Sequence, residues 1–284
     1  MSNDIRVTSW AQVQDELFYA SWDPAIRRFR SPYVFRGLSD AGYALESSLI
    51  RLRGPYVQME RHLLRNFRKY AQGLFGDFTS FWHLLAVAQH HGLPTRLLDW
   101  TYSPAAALHF ATANIERFDL DGVVWMVNLH QVHALLPQAL GEPLRAEGAD
   151  VFTVELLSQL TKAADAAGHG QADEGSSFQH LIRSLEDFDA LAAGGEFLLF
   201  LEPPSIDERI VNQFALFSVM PNPSRRIDDW LDRRPELCRR LIIPAELKWE
   251  VRDKLDQSNV TERVLFPGLD GLCDWLKRHY SQKT

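Results

Sequence analysis

The chain has 284 residues, 46% of them hydrophobic and 24% charged, and a net charge of −7. That composition excludes an intrinsically disordered chain, and the acidic balance excludes a bulk nucleic-acid-binding surface while leaving room for a local basic cleft. Only Cys238 and Cys273 are available for thiol chemistry, no apolar run reaches the ~18 residues of a membrane span, and the start MSNDIRVTSW has no leader pattern, so a cytoplasmic protein with no membrane partner is expected.

In chain order, the amphipathic stretch SWAQVQDELFYASW is followed by SPYVFRGL, which alternates aromatic and β-branched residues up to Gly37 and reads as a short strand. Met59, Leu63, Phe67, Tyr70 and Leu74 recur at helical spacing, which predicts a long helix. A second helix, SFWHLLAVAQHHG, ends at Gly92 with Pro94 just beyond. TRLLDWT is short and extended, and Ser103 before Pro104 is an N-cap followed by proline at the first helical position. A strand, a turn and a helix start therefore meet at residues 98–104.

GVVWMVNL reads as a central strand, and residues 130–195 as a partly helical, variable insertion with a mobile run over 164–177. Beyond it come a strand FLLFLE, a helix turning into a strand in ERIVNQFALFSVM, a strand LCRRLII and a helix in PAELKWEVRDKLDQS. ERVLFPG is expected to be a strand or turn, and LDGLCDWLKRHY a closing helix. The expected class is α+β, a single domain over 1–284 with mixed, mainly antiparallel sheets flanked by helices.

Several residues stand where chemistry could sit. Arg36 ends an aromatic strand, and its fork suits a pyrophosphate or carboxylate, while Gly37 leaves the backbone open to a ligand. The same spacing fits a structural arginine held by an aspartate or by carbonyls. Thr101, Tyr102 and Ser103 adjoin a helix N-terminus, where free N–H groups attract anions, although Ser103 as a plain cap explains the pattern equally. Arg96 and Asp99 read as an internal ion pair.

His90 and His91 are adjacent, so they cannot share one small metal site, and no metal is expected; one of them is a candidate for the cleft wall. Arg209 and Gln213, one helical turn apart, are further cleft candidates, with packing on a helix surface as the alternative. Glu262 precedes a short apolar run and either faces a cleft or pairs with solvent beside Arg263. GxSxG, GxxxxGK[ST] and GxGxxG are absent, which removes the commonest hydrolase, P-loop and dinucleotide-fold signatures.

FRG at 35–37, QHHGLPTRLLDWTYSPAAALHFA from Gln89, ERIVNQFALFS from Glu208 and TERVLFPGLDGL from Thr261 together resemble the FRG-domain family of bacterial and phage-associated proteins. In the same order, FRG, TYSPAAALHFA and ERVLFP resemble the arginine, serine and glutamate motifs of ADP-ribosyltransferases. That resemblance implies an ADP-ribosyltransferase-like core and NAD as substrate. Arg36, beside Phe35, would hold the pyrophosphate, Gly37 would contact the nicotinamide carboxamide, and Thr101 and Ser103 would order the nicotinamide ribose.

Glu262 would then support the oxocarbenium-like transition state as nicotinamide leaves. It implies an NAD-consuming transferase or glycohydrolase in anti-phage defence or a toxin system, with a macromolecular acceptor or a phage trigger as partners. A non-catalytic module that senses a nucleotide or phage protein is the alternative. Val260 stands where those enzymes carry a second Glu or Gln, a departure that bears on transfer to a protein more than on NAD cleavage.

Overall fold

The computed structural model describes residues 4–75, 78, 80–163 and 185–281. The chain begins with strand β1 (Asp4–Arg6), helix α1 (Trp10–Leu17), a small hairpin of β2 (Trp22–Asp23) and β3 (Arg28–Phe29), and strand β4 (Tyr33–Leu38). Helices α2 (Ser48–Arg51), α3 (Tyr56–Phe75) and α4 (Phe81–His90) lead to β5 (Leu98–Thr101), α5 (Pro104–Ala111) and β6 (Gly122–Asn128). Next come α6 (Leu129–His133), α7 (Gln138–Ala146), β7 (Phe152–Thr153), α8 (Val154–Ala163), α9 (Leu185–Ala190) and β8 (Leu199–Glu202). The last part holds α10 (Glu208–Asn212), β9 (Ala215–Val219), α11 (Ile227–Leu231), β10 (Cys238–Ile243), α12 (Lys248–Gln257), α13 (Glu262–Leu265) and α14 (Leu269–His279).

Eight strands form one sheet in the order β1-β10-β6-β4-β5-β9-β8-β7. Its ladders are antiparallel except at the two outer pairs, β1 with β10 and β7 with β8. The expected α+β class is found, and β6 is a central strand buried from Gly122 to Val127. The helix signals also hold: Ser103 caps α5 by accepting the Ala106 N–H, Pro104 opens it, and α4 stops before Gly92, whose φ of 80° suits glycine.

One apolar layer packs Val34, Leu98, Trp100, Trp125 and Phe200 against Trp230 and Leu231. A second packs Phe35, Val124 and Met126 under Ala107, Leu108 and Ala111 of α5. A third lies under α4, α7, α8 and α9 and includes Trp82, Leu144, Phe152 and Phe188. The described part of 130–195 is thus built into the body, supplying β7 and much of that third layer. The run over 164–177, read as mobile, lies outside the described residues.

The segment ERVLFPG departs from expectation. Glu262–Leu265 is a short helix, not a strand, and it packs on α14 rather than extending the sheet. The apolar run that suggested a strand does occupy the core, but only Leu265 of it is fully buried.

Candidate functional site

Along most of the sheet the ladders are long: β4 pairs with β6 over six residues and β5 with β9 over four. Between β4 and β5 a single pair remains, Phe35 with Thr101. In an antiparallel register the next partners would be Gly37 and Asp99, yet they do not pair. The Arg36 side chain fills the place instead, its Nη1 donating to the Asp99 carbonyl. A guanidinium thus closes a ladder position that the diverging strands leave open.

Arg36 has no carboxylate ion pair among the described residues, and its buried Nε has no hydrogen-bond partner. Burial pushes its pKa down, Asp99 opposes that shift and Arg51 adds to it. A desolvated cation with an unused donor needs an anion or acceptor that the described side chains do not supply.

The seam opens into a pocket of about 210 Å³ lined by Phe35, Arg36, Gly37, Asp99, Trp100, Thr101, Phe110, Arg209, Gln213 and Ala215. Arg209 is exposed, lies 5.1 Å over the Phe266 ring and has no carboxylate partner among the described residues. Gln213 follows α10, and its Nε2 donates to the Leu265 carbonyl at 2.9 Å, which leaves the carboxamide oxygen as its other polar atom. The structure brings Arg36 of β4, Thr101 of β5, and Arg209 and Gln213 of α10 and its C-cap together from three segments. It adds Asp99 and Phe110.

An outer hollow of about 740 Å³ shares Asp99, Arg209, Gln213 and Ala215 with the pocket and is also lined by Arg51, His90, His91 and Asp207. His90 Nε2 and the Asp207 carboxylate are 2.5 Å apart, which ties the end of α4 to the N-cap of α10, the helix that carries Arg209. Burial, then His90, lowers the His91 pKa. His90 and His91 both line this hollow, and neither lines the pocket itself. Among the described residues no group of three His, Cys, Asp or Glu side chains is arranged to hold a metal ion.

Thr101 lines the pocket with its hydroxyl committed: Oγ1 donates to the Gln213 carbonyl at 2.6 Å and accepts the Ser103 N–H at 2.9 Å. It pins the end of β5, the start of α5 and the loop before β9 to one another. Ser103 caps α5 and does not line the pocket. Tyr102 is also elsewhere, donating its hydroxyl to Glu202 at 2.9 Å, and burial raises its pKa. Gly37 has a packing role: a Cβ there would stand 1.8 Å from the Ala107 carbonyl oxygen, so glycine lets α5 lie flat on β4.

Glu262 is not in the pocket. Its carboxylate receives Arg278 Nε at 2.6 Å and Nη2 at 2.8 Å, with Arg252 4.0 Å away. Arg278 also donates to Asp256, and Arg252 donates to Nδ1 of buried His109 at 2.8 Å. Burial disfavours ionisation of Glu262, but the hydrogen bond from Arg278 and the nearby Arg252 more than offset it, and its pKa falls to about 2. Burial and then Arg252 push the His109 pKa down to about 3. Two arginines and two acids balance in charge, so the cluster joins α5, α12, α13 and α14 as an ionic knot, although Arg252 Nε and His109 Nε2 have no hydrogen-bond partner among the described residues.

The expected Arg96–Asp99 pair is not formed. Buried Arg96 binds Glu60 at 2.8 Å and also Asp189, while Asp99 is exposed to the pocket and accepts Gln89 Nε2 at 3.0 Å. An odd separation along an extended segment puts the two on opposite faces, a signal the spacing already carried. Phe110 had no such mark, because an aromatic on a helix reads as core.

No helix among the described residues is long and apolar enough to cross a membrane. No curated protein and no solved structure matches the chain. One family model does match, and its span supplies Arg36, Asp99, Thr101 and Phe110, whereas Arg209 and Gln213 lie beyond it. That model is the FRG domain, and it matches residues 31–120 of this chain.

Proposed function

We propose that the seam between β4 and β5 binds the phosphates of an NAD-class dinucleotide, and that the protein consumes NAD there as an ADP-ribosyltransferase or NAD glycohydrolase. The observation that carries the binding half is the pair Arg36 and Arg209, two guanidiniums in one pocket without carboxylate partners among the described residues. Guanidiniums bind phosphate oxygens through paired N–H donors, and at a desolvated site such a contact is strong. Phe110 adds an aromatic residue to the pocket lining. The catalytic half rests on the order of the sequence motifs, with Arg36 and Thr101 as the residues that the pocket retains.

A second reading, a non-catalytic nucleotide-sensing module, draws on a specific observation. The charge of Glu262 is spent on Arg278, and the residues that reach the pocket from the later part of the chain, Arg209, Gln213 and Ala215, include no carboxylate. None of the three offers negative charge to a developing cation, and the pocket's one carboxylate, Asp99, stands on β5 outside the glutamate motif; binding without such a contribution does not become acceleration. The two readings share the ligand and differ in turnover. Roles in bacterial anti-phage defence or a toxin system, in the cytoplasm, with a macromolecular acceptor or phage trigger, rest on the family resemblance alone.

The test is titration of the full chain with NAD and ADP-ribose, followed by thermal melting, with released nicotinamide measured alongside. Binding raises the melting temperature by mass action, and Arg36→Gln or Arg209→Gln removes that rise. Nicotinamide release supports the enzyme, and a rise without release supports the sensor. No rise with either ligand overturns both.

A further inference from the structure

The pocket holds one acidic side chain among its lining residues, Asp99, and the most distinctive block of the sequence is arranged around it. Gln89 at the end of α4 donates Nε2 to Asp99 Oδ2 at 3.0 Å. The Gln89 amide is itself fixed, because Oε1 accepts the Thr95 hydroxyl at 2.6 Å. Thr95 is fully buried, and its Oγ1 accepts the Leu97 N–H at 3.1 Å while its N–H donates to Ser48 Oγ at 3.1 Å. Three residues of QHHGLPTRLLD thus form a relay that ends on a carboxylate facing the cavity. The main chain of Asp99 is held from the other side by Arg36.

Such support is more than a surface aspartate needs. Asp99 is the exposed residue of a strand otherwise buried, and among the described residues it makes no ion pair with Lys, Arg or His. A carboxylate has about four lone-pair sites, of which Gln89 uses one. Beside two guanidiniums that call for an anion, the rest of this carboxylate calls for donors. One ligand that brings both is a phosphate ester whose sugar carries free hydroxyls.

We infer that Asp99, oriented by Gln89 and Thr95, is the hydroxyl-recognising group of the pocket and makes it prefer ribose-bearing phosphate ligands over phosphate alone, taking ribose hydroxyls while Arg36 and Arg209 take phosphate. This inference rests on the phosphate-binding reading above. The relevant probes are ADP-ribose, which has both parts, and inorganic pyrophosphate, which has only the phosphates. Their affinities are measured by calorimetric titration of the full chain.

Asp99→Asn weakens ADP-ribose by about 10- to 100-fold, the range for losing hydrogen bonds to a charged acceptor. Pyrophosphate affinity stays the same or improves, because a negative charge has left the vicinity of the phosphates. Gln89→Leu keeps the carboxylate but frees it to rotate, so ADP-ribose weakens by a smaller factor with pyrophosphate unchanged. Unchanged ADP-ribose affinity in Asp99→Asn overturns the inference and leaves the phosphate reading intact, as does an equal loss for both probes. Failure of the unmodified protein to bind either probe overturns the phosphate reading itself.

Discussion

Arg36 is half-buried at the edge of a pocket, Arg278 is buried between helices, and their charges have opposite fates. Arg278 is answered by Glu262 and Asp256 through four hydrogen bonds, and the charges of the surrounding knot cancel. Arg36 has one backbone carbonyl and a buried donor with no partner. The lesson is that burial of a charged side chain does not mark a functional site. What marks it is burial without compensation, because folding alone gives no reason to desolvate a cation and leave it unanswered.

The sharpest way to break this contrast is to neutralise each arginine. Arg278→Met strands Glu262 and Asp256 in a poorly hydrated site, and the unfolding free energy in urea falls by about 3–5 kcal/mol. Arg36→Gln changes it by about 1 kcal/mol or less while abolishing the thermal shift with NAD. Similar losses of stability in both variants would mean that Arg36 is structural.

The knot also has a signature in pH. Glu262 titrates near 2 in the folded protein against an ordinary 4.5, so its contribution is complete above 4.5 and is lost as pH falls toward 2. That window is worth about 3 kcal/mol. His109 acts in the same direction over a higher window: it is neutral in the fold down to about 3 but protonates near 6.5 when unfolded, so acid favours the unfolded chain from 6.5 downward. Urea melts between pH 7 and 2.5 should show both windows, and in Glu262→Gln the lower one disappears.

Smaller changes test the pocket walls. Gly37→Ala forces a methyl group onto the Ala107 carbonyl and lowers stability by about 1–3 kcal/mol, measured by the same melts. Were Gly37 there to admit a ligand, that variant would lose affinity with little change in stability. Ser103→Ala removes the α5 cap for about 1 kcal/mol and leaves NAD binding unchanged.

Much of the fold could be read locally. Strand β4, the α4 stop at Gly92 and the Ser103–Pro104 helix start follow from neighbours within a few residues, and the motifs brought Arg36, Thr101, Arg209 and Gln213 to one place. Glu262 was misread because its environment is written elsewhere: Arg252, Asp256 and Arg278 converge on it only after α12 and α14 fold against α13. Extended and helical pairing of Val264, Leu265 and Phe266 look alike over so short a run. Asp99 was assigned to the wrong partner because proximity along the chain was taken for proximity in space. The true partner of Arg96, Glu60, lies a whole helix away on α3.

The lone backbone pair between Phe35 and Thr101 also has a mechanical consequence. A sheet whose other interior ladders run from three to six residues resists shear poorly along the one line held by a single pair. The body is two plates riveted at a point, with α5 laid across the join. A molecule spanning the join would act as a second rivet, and amide hydrogens of β4 and β5 would exchange more slowly once it is in place, while those deep inside the β6–β10 ladder would barely change.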